Sequence, residues 1–240
     1  MLEVKNDLAC LCASGLFAVT DARLLEKFAQ GTVIRHLKCG ETVWRTGENP
    51  KHFVLVQTGL VAIQKLDLEG NSVLVGLFGP GDALCIAPAL QGIDYPGDAV
   101  AISEMATLLL IPVAPVAASM ATNAQLSYSL NRSLVKHSEL LRNKIDIVSA
   151  GTVPRRLAAL MLNLVDRFGV SDSQDRASVP INLTRERLGQ LVNARTETVI
   201  RVMSKWQKAG WFRSSSQGFN VERLEILRRI IHGRPSSNTP

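Results

Sequence analysis

The sequence predicts an α+β chain: an N-terminal antiparallel β-roll, one long helix, and a C-terminal winged helix-turn-helix. Three observations predict it. Between residues 31 and 112, short apolar or alternating runs are cut by Gly at 40, 47, 59, 70, 76, 79 and 81. Residues 123–149 contain neither Pro nor Gly. Residues 184–206 hold two short amphipathic stretches separated by a tight turn, and a short alternating segment follows them.

The elements follow in order. A short helix is expected over 20–30, with Asp21 as a cap ahead of Leu24, Leu25 and Phe28. Thr42–Arg45, Phe53–Gln57, Leu60–Leu66, Ser72–Phe78 and Thr107–Ile111 have the length and spacing of roll strands. Pro80-Gly81-Asp82 is a further turn. Ala87–Asp98 contains Pro88, Gly92, Pro96 and Gly97 and reads as an irregular crossover. Helix resumes near 115. In the long helix Leu130, Leu134, His137, Leu141, Lys144 and Val148 alternate four and three apart, as the seam of two paired helices requires. His137 and Lys144 share a heptad position and would weaken a tight zipper, which suggests a dimer contact with a movable lower half.

Gly151-Thr152-Val153-Pro154 breaks that helix: Thr152 can cap, and Pro154 fits the first turn of the next. Arg155–Phe168 then presents Leu157, Leu160, Met161, Leu164 and Val165 to a core. Residues 170–179 read as polar loop. Leu188 and Leu191 form the apolar face of the first motif helix, and Val199, Val202 and Met203 that of the second. Gly189 lets the two approach, and Asn193 suits a left-handed turn residue. Gly210-Trp211-Phe212 and Ser214–Val221 read as a hairpin wing, followed by a helix from about Glu222 to Ile231. The tail Arg234–Pro240 is too polar to pack and is expected to be disordered. The expected division is a β-roll domain over 1–120, a helix and hinge over 121–150, a winged helix-turn-helix domain over 151–233, and the tail over 234–240.

Charge separates the halves. Residues 1–149 hold 12 Lys/Arg against 14 Asp/Glu, and residues 150–240 hold 15 against 7. A net of −2 beside a net of +8 points to a polyanion-binding module joined to a near-neutral one. No apolar run approaches the roughly 20 residues needed to cross a bilayer, and the N-terminus lacks a signal-peptide pattern. A cytoplasmic protein with no membrane partner is expected, with Cys10, Cys12, Cys39 and Cys85 reduced. An enzyme is disfavoured: no His-x-His, Ser-His-Asp set or phosphate-binding glycine loop is visible.

The second motif helix leaves Arg195, Thr196, Glu197, Thr198, Arg201 and Lys205 on its open face and first turn. Such a helix can enter a major groove of double-stranded DNA. Glu197 can accept from cytosine N4 and Arg201 can donate to guanine O6 and N7, with Thr196 and Arg195 beside them at the bases. Thr184 and Arg185, at the start of the first helix, and Thr198 and Lys205 are expected at phosphates. The alternative is an ordinary helical hairpin in a core, with Glu197 and Arg201 an exposed pair of little consequence.

Leu183-Thr184-Arg185, Leu188-Gly189-Gln190 and Glu197-Thr198-Val199-Ile200-Arg201, together with Gly40-Glu41, Gly47, Thr58-Gly59 and Pro80-Gly81-Asp82, resemble the cyclic-AMP receptor protein / FNR superfamily of bacterial transcription factors. The resemblance spans roughly 18–230. It implies a cyclic-nucleotide-binding-like jelly roll and a homodimer on a two-fold symmetric operator. It also implies contact with RNA polymerase and base reading by Glu197 and Arg201. Members that respond to cyclic AMP carry an Arg where Thr196 stands. That departure resembles the FNR-like branch and implies a T-rich outer half-site. Arg195 stands where a small capping residue is usual.

The nucleotide site of the family is not matched. Its ribose-binding Gly-Glu pair aligns with Cys85-Ile86, and its phosphate-binding Arg-Ser pair with Gly97-Asp98. No Lys or Arg lies between 66 and 131, and a buried cyclic phosphate without a cation is costly. No cyclic AMP binding is therefore expected. An iron–sulfur cluster, a thiol or soft-metal sensor on Cys85, Cys39, Cys10 or Cys12, haem ligated by His137, and an unknown ligand or none remain open. The competing classes are a cupin-like or cyclic-nucleotide-domain regulatory protein without specific DNA readout, and a DNA-binding member that needs no ligand.

Overall fold

The computed structural model describes residues 16–17, 20–66, 69–70, 72–216 and 218–233, with only the backbone described at 171–173. Cys10, Cys12 and the tail over 234–240 lie outside them. Contacts divide the chain into two units, 1–67 with 75–140, and 68–74 with 141–240. The division falls within the long helix.

The first unit opens with α1 (Ala22–Ala29), whose Asp21 carboxylate accepts from the Leu24 amide at 3.0 Å, as the capping reading expects. Eight strands follow: β1 (Val33–Lys38), β2 (Thr42–Trp44), β3 (His52–Thr58), β4 (Val61–Leu66), β5 (Ser72–Phe78), β6 (Ala83–Leu84), β7 (Asp98–Ala101) and β8 (Met105–Pro112). They form two four-stranded sheets, ordered β1-β8-β3-β6 and β2-β7-β4-β5. The central pairings are antiparallel, with Val33 opposite Leu110 and Val54 opposite Leu110 from the other side. Leu55, Phe53, Leu109 and Ile111 of β3 and β8 pack in one cluster with Leu25 and Phe28 of α1. Their neighbours Val54, Val56 and Leu108 face the other cluster, with Trp44 and Tyr95. This is the period-two alternation of a strand between two apolar layers.

Several elements of this unit depart from the sequence reading. Residues 86–91 are not irregular but helical, α2 (Ile86–Gln91). Pro88 lies in the first turn, where its missing N–H costs nothing, and Gly92 closes the helix with φ +65°. β1 and β7 escaped notice because neither alternates cleanly. Each is held as a strand by its partners, β8 in one case, β2 and β4 in the other.

The unit ends with α3 (Val113–Met120) and most of α4 (Ala124–Ser149). Asn123 caps α4 by accepting from the Leu126 amide at 2.8 Å. The expected seam needs correction here. Leu130 is fully buried in the core of its own unit, and Leu134 packs against the same cluster. His137 lies on Phe78, ring centroids 5.4 Å apart. Leu130 is closed to a second chain, and Leu134 and His137 are half-covered within their own. The exposed large apolar side chains of α4 are Tyr128, Val135, Leu141 and Ile145, a stripe about one residue around the helix. Leu141 is therefore the expected seam residue that stays on the open side, and Val148 is half-buried.

The second unit holds the end of α4, α5 (Val153–Phe168), β9 (Val170–Ser173), β10 (Arg176–Val179), α6 (Arg185–Val192), α7 (Thr196–Lys208), β11 (Phe212–Ser215), β12 (Gly218–Val221) and α8 (Leu224–His232). Thr152 takes the cap position of α5 without a side-chain bond, and Pro154 sits in its first turn. Leu157, Leu160, Met161 and Leu164 are buried, Val165 partly so. Residues 170–179 are not a polar loop. They form a hairpin that completes the wing, in the order β11-β12-β10-β9. Ala177 pairs with Val221 and Val179 with Phe219, a long-range registry that local polarity conceals. Ala177 and Val179 turn inward while Ser178 is half-exposed between them.

Candidate nucleic-acid interface

The interface is built on α6 and α7 and the turn between them. Thr184 caps α6: its hydroxyl accepts from the Arg187 amide at 3.2 Å. Asn193 takes the left-handed conformation the turn requires, φ +50° and ψ +60°, and the following Ala194 amide bonds to the Gly189 carbonyl at 3.0 Å. A Cβ at Gly189 would stand 2.7 Å from the Ala194 carbonyl oxygen. The turn can therefore be this tight only with Gly at 189.

Two cations fasten the end of α6. Lys144 Nζ donates to the carbonyls of Leu191 at 2.5 Å and Gln190 at 3.4 Å. Arg156 Nη1 donates to those of Val192 at 3.1 Å and Asn193 at 2.9 Å, and its Nε to Gly151 at 2.8 Å. Positive groups belong at a helix C-terminus, where carbonyls lack intrahelical partners. Burial lowers the Lys144 amine from 10.5 to about 8. Lys144 is thus spent on the helix-turn-helix of its own chain rather than on a seam between two. Nothing in its heptad spacing, or in Arg156 alone, announces this role.

Val199, Val202, Met203 and Trp206 are buried under α7, which turns the opposite face outward. Glu197, Arg201 and Lys205 are exposed there, and Thr196 and Thr198 are half-exposed. Arg195 is the exposed cap residue of α7, with no side-chain cap bond, since a guanidinium offers no acceptor. Arg185 is held differently. Its guanidinium lies 5.8 Å from the Phe212 ring centroid, its Nη2 donates to Ser214 Oγ at 3.0 Å, and burial lowers its pKa. It ties α6 to the wing while it borders the interface. Arg213 and Glu222 form an ion pair across the wing at 3.4 Å.

Cys85-Ile86 and Gly97-Asp98 stand at the positions aligned with the family's ribose and phosphate contacts. Ile86 and Cys85 are buried among apolar groups, and burial pushes the Cys85 thiol well above its usual range. Such a thiol is a poor thiolate donor. Asp98 accepts from the amide and hydroxyl of Thr46, each at 2.7 Å, bonds that lower its pKa. Trp44 stacks on Tyr95 at 4.4 Å and donates to the Gly97 carbonyl at 2.9 Å. At the positions aligned with the family's nucleotide contacts the chain therefore presents an apolar pair, Cys85-Ile86, and the acid Asp98. Cys39, a candidate sensor thiol, is exposed in the turn after β1. Its thiol points to the Ile102 carbonyl at 3.6 Å. His137 is half-buried and its pKa is lowered, by burial first, with Asp82 opposing. Among the described residues no group of three or more His, Cys, Asp or Glu could hold a metal ion, and no helix is long and apolar enough to cross a membrane.

Comparison with known proteins bears on both units. Residues 155–230 match the model of a Crp-like helix-turn-helix domain, and residues 34–123 that of a cyclic nucleotide-binding domain. A CRP-like cAMP-activated global transcriptional regulator of Mycobacterium tuberculosis is 26% identical over 190 residues, 79% of this chain and 84% of that protein. The nitrogen fixation regulation protein FixK of Bradyrhizobium diazoefficiens is 24% identical over 217 residues, 88% of each chain. The structure of FixK2 from Bradyrhizobium japonicum shares the fold with a TM-score of 0.71 at 18% identity, over 87% of this chain and 99% of that one.

Proposed function

Because this chain belongs to the cyclic-AMP receptor protein / FNR superfamily of bacterial transcription regulators, we propose that it binds a two-fold symmetric operator as a homodimer, under a signal other than cyclic AMP. The observation that carries the DNA reading is the open face of α7: Glu197 and Arg201 project from it, four residues apart, opposite the buried Val199, Val202, Met203 and Trp206. Glu197 accepts from cytosine N4 and Arg201 forks onto guanine O6 and N7. Thr196 and Arg195 border the same bases. Thr184, Thr198, Lys205 and the wing-tethered Arg185 set the phosphate register. RNA polymerase is the expected protein partner, and no catalytic role is proposed.

The exposed stripe of Tyr128, Val135, Leu141 and Ile145 supports α4 as the dimer contact, one register away from the seam that heptad spacing suggests. The family's Gly-Glu and Arg-Ser pairs are replaced here by Cys85-Ile86 and Gly97-Asp98, which supports a signal other than cyclic AMP. Relatives named for cAMP activation and for nitrogen fixation regulation both match, so the family alone does not name the signal.

Selection of a binding site from random duplexes, then fluorescence anisotropy, tests the reading. Arg201→Ala should cost specific affinity about 10-fold or more per half-site and leave the non-specific affinity within a few-fold. Unchanged specific affinity would refute the assignment. Calorimetric titration with cyclic AMP tests the second part: micromolar binding overturns it.

A further inference from the structure

Arg185 is half-buried between α6 and the wing, and its partners there are neutral: the Phe212 ring and Ser214 Oγ. Among the described residues no carboxylate pairs with it. A guanidinium drawn partly out of water without a counter-anion is a costly arrangement. Ser214 Oγ also accepts from Gln207 Nε2 at 3.4 Å. Two N–H donors, one from α6 and one from α7, thus converge on a single hydroxyl oxygen. A cleft of about 180 Å³ opens at the same place, with Thr184, Arg185, Phe212, Ser214 and Gly218 in its wall. Ser214 itself is exposed, on the outer strand of the wing sheet. Ser215 and Ser216 are exposed as well, but their surroundings differ. Ser215 Oγ donates across the hairpin to the Gly218 carbonyl at 3.3 Å, an oxygen that would face a phosphoryl group placed there with no proton between them.

Resting on the assignment of Arg185 to a DNA phosphate above, we propose that Ser214 is a phosphorylation site whose phosphoryl group occupies Arg185 and Gln207 and so weakens DNA binding. The donor is a nucleoside triphosphate brought by a protein serine kinase. Ser214 Oγ attacks the terminal phosphorus, the bond from that phosphorus to its bridging oxygen breaks, the nucleoside diphosphate leaves, and the hydroxyl proton passes to solvent. The product carries close to two negative charges and three acceptor oxygens. Arg185 forks onto two of them, and Gln207 donates to the third. The half-buried guanidinium gains the counter-anion it lacks. It is then no longer free for a DNA phosphate, and the new charge repels the duplex backbone.

The test uses the full chain with phosphoserine placed at 214 by suppression of an amber codon. Phosphorus NMR follows the second ionisation of the phosphoryl group, ordinarily near about 6. It should fall to about 5, because a guanidinium lies against it. Arg185→Gln in the same phosphorylated chain should return it to about 6. On the duplex that the unmodified chain selects from a random pool, phosphoserine at 214 should lower affinity at least about tenfold. It should also reduce the slope of log affinity against log salt by about 1 per half-site, as loss of one phosphate contact does. Mass spectrometry of the chain recovered from its own cells should find phosphate on Ser214, and Ser214→Ala should remove it. An ordinary ionisation at 214, one indifferent to Arg185→Gln, an unchanged DNA affinity, or a chain recovered without phosphate on Ser214 overturns the proposal. In each of these cases selection of a duplex by the unmodified chain leaves the DNA reading intact. An unmodified chain that selects no duplex sinks the DNA reading, while the ionisation at 214 still decides whether Arg185 receives the phosphoryl group.

Discussion

Replacing Lys144 by Met should remove a pH dependence from the stability of the C-terminal unit. In the folded chain burial lowers this amine from 10.5 to about 8. Unfolded, it titrates near the ordinary lysine value of about 10.4. Below pH 8 both states hold the proton, and folding bears the full cost of burying a charge. Between pH 8 and about 10.4 the unfolded chain binds more protons than the folded one, so stability rises with pH. At about 1.4 kcal/mol per pKa unit, the rise amounts to about 3 kcal/mol. Met keeps the aliphatic stem and removes the charge together with the donors to Gln190 and Leu191. Near neutral pH these effects oppose each other, since each carbonyl left without a donor costs about 1–3 kcal/mol. The readout is therefore the pH trend, not the offset. Urea unfolding followed by the emission of Trp206 and Trp211, in a Trp44→Phe background, reports on this unit. Measured at pH 7, 8.5 and 10, the wild type should gain on Lys144→Met by about 2.5 kcal/mol over that range. A constant difference across that range would refute the account of a buried, titrating amine.

Gly189→Ala sets helix propensity, a gain of about 1 kcal/mol, against a Cβ placed 2.7 Å from the Ala194 carbonyl oxygen. That oxygen belongs to the backbone of the turn and cannot swing away, so overpacking of about 1–3 kcal/mol prevails. Thermal melting should show a lower midpoint, and a raised midpoint refutes the close-approach role. Cys39 and Cys85 should differ in alkylation of the native protein at pH 7.5, followed peptide by peptide. Exposed Cys39 reacts at least about tenfold faster than Cys85, whose thiol is buried and pushed upward. Equal rates would show that the roll opens at that point on the reaction's timescale.

Local chemistry made much of this protein readable in its primary structure. Asp21 ahead of an apolar helix face, the left-handed Asn193 and the hairpin after Trp211 each depend on a few adjacent residues. The open face of α7 was legible because helical periodicity places Val199, Val202 and Met203 opposite Glu197 and Arg201. Long-range pairing decided the rest. The segment 170–179 is polar, and only its registry with β12 makes it sheet. Heptad spacing marked one face of α4 as apolar but could not say what would cover it. Leu130 and Lys144 fit the same pattern, yet one fills the roll core and the other binds carbonyls at the end of α6. A periodic pattern specifies a face; which surface meets that face depends on the whole chain's path.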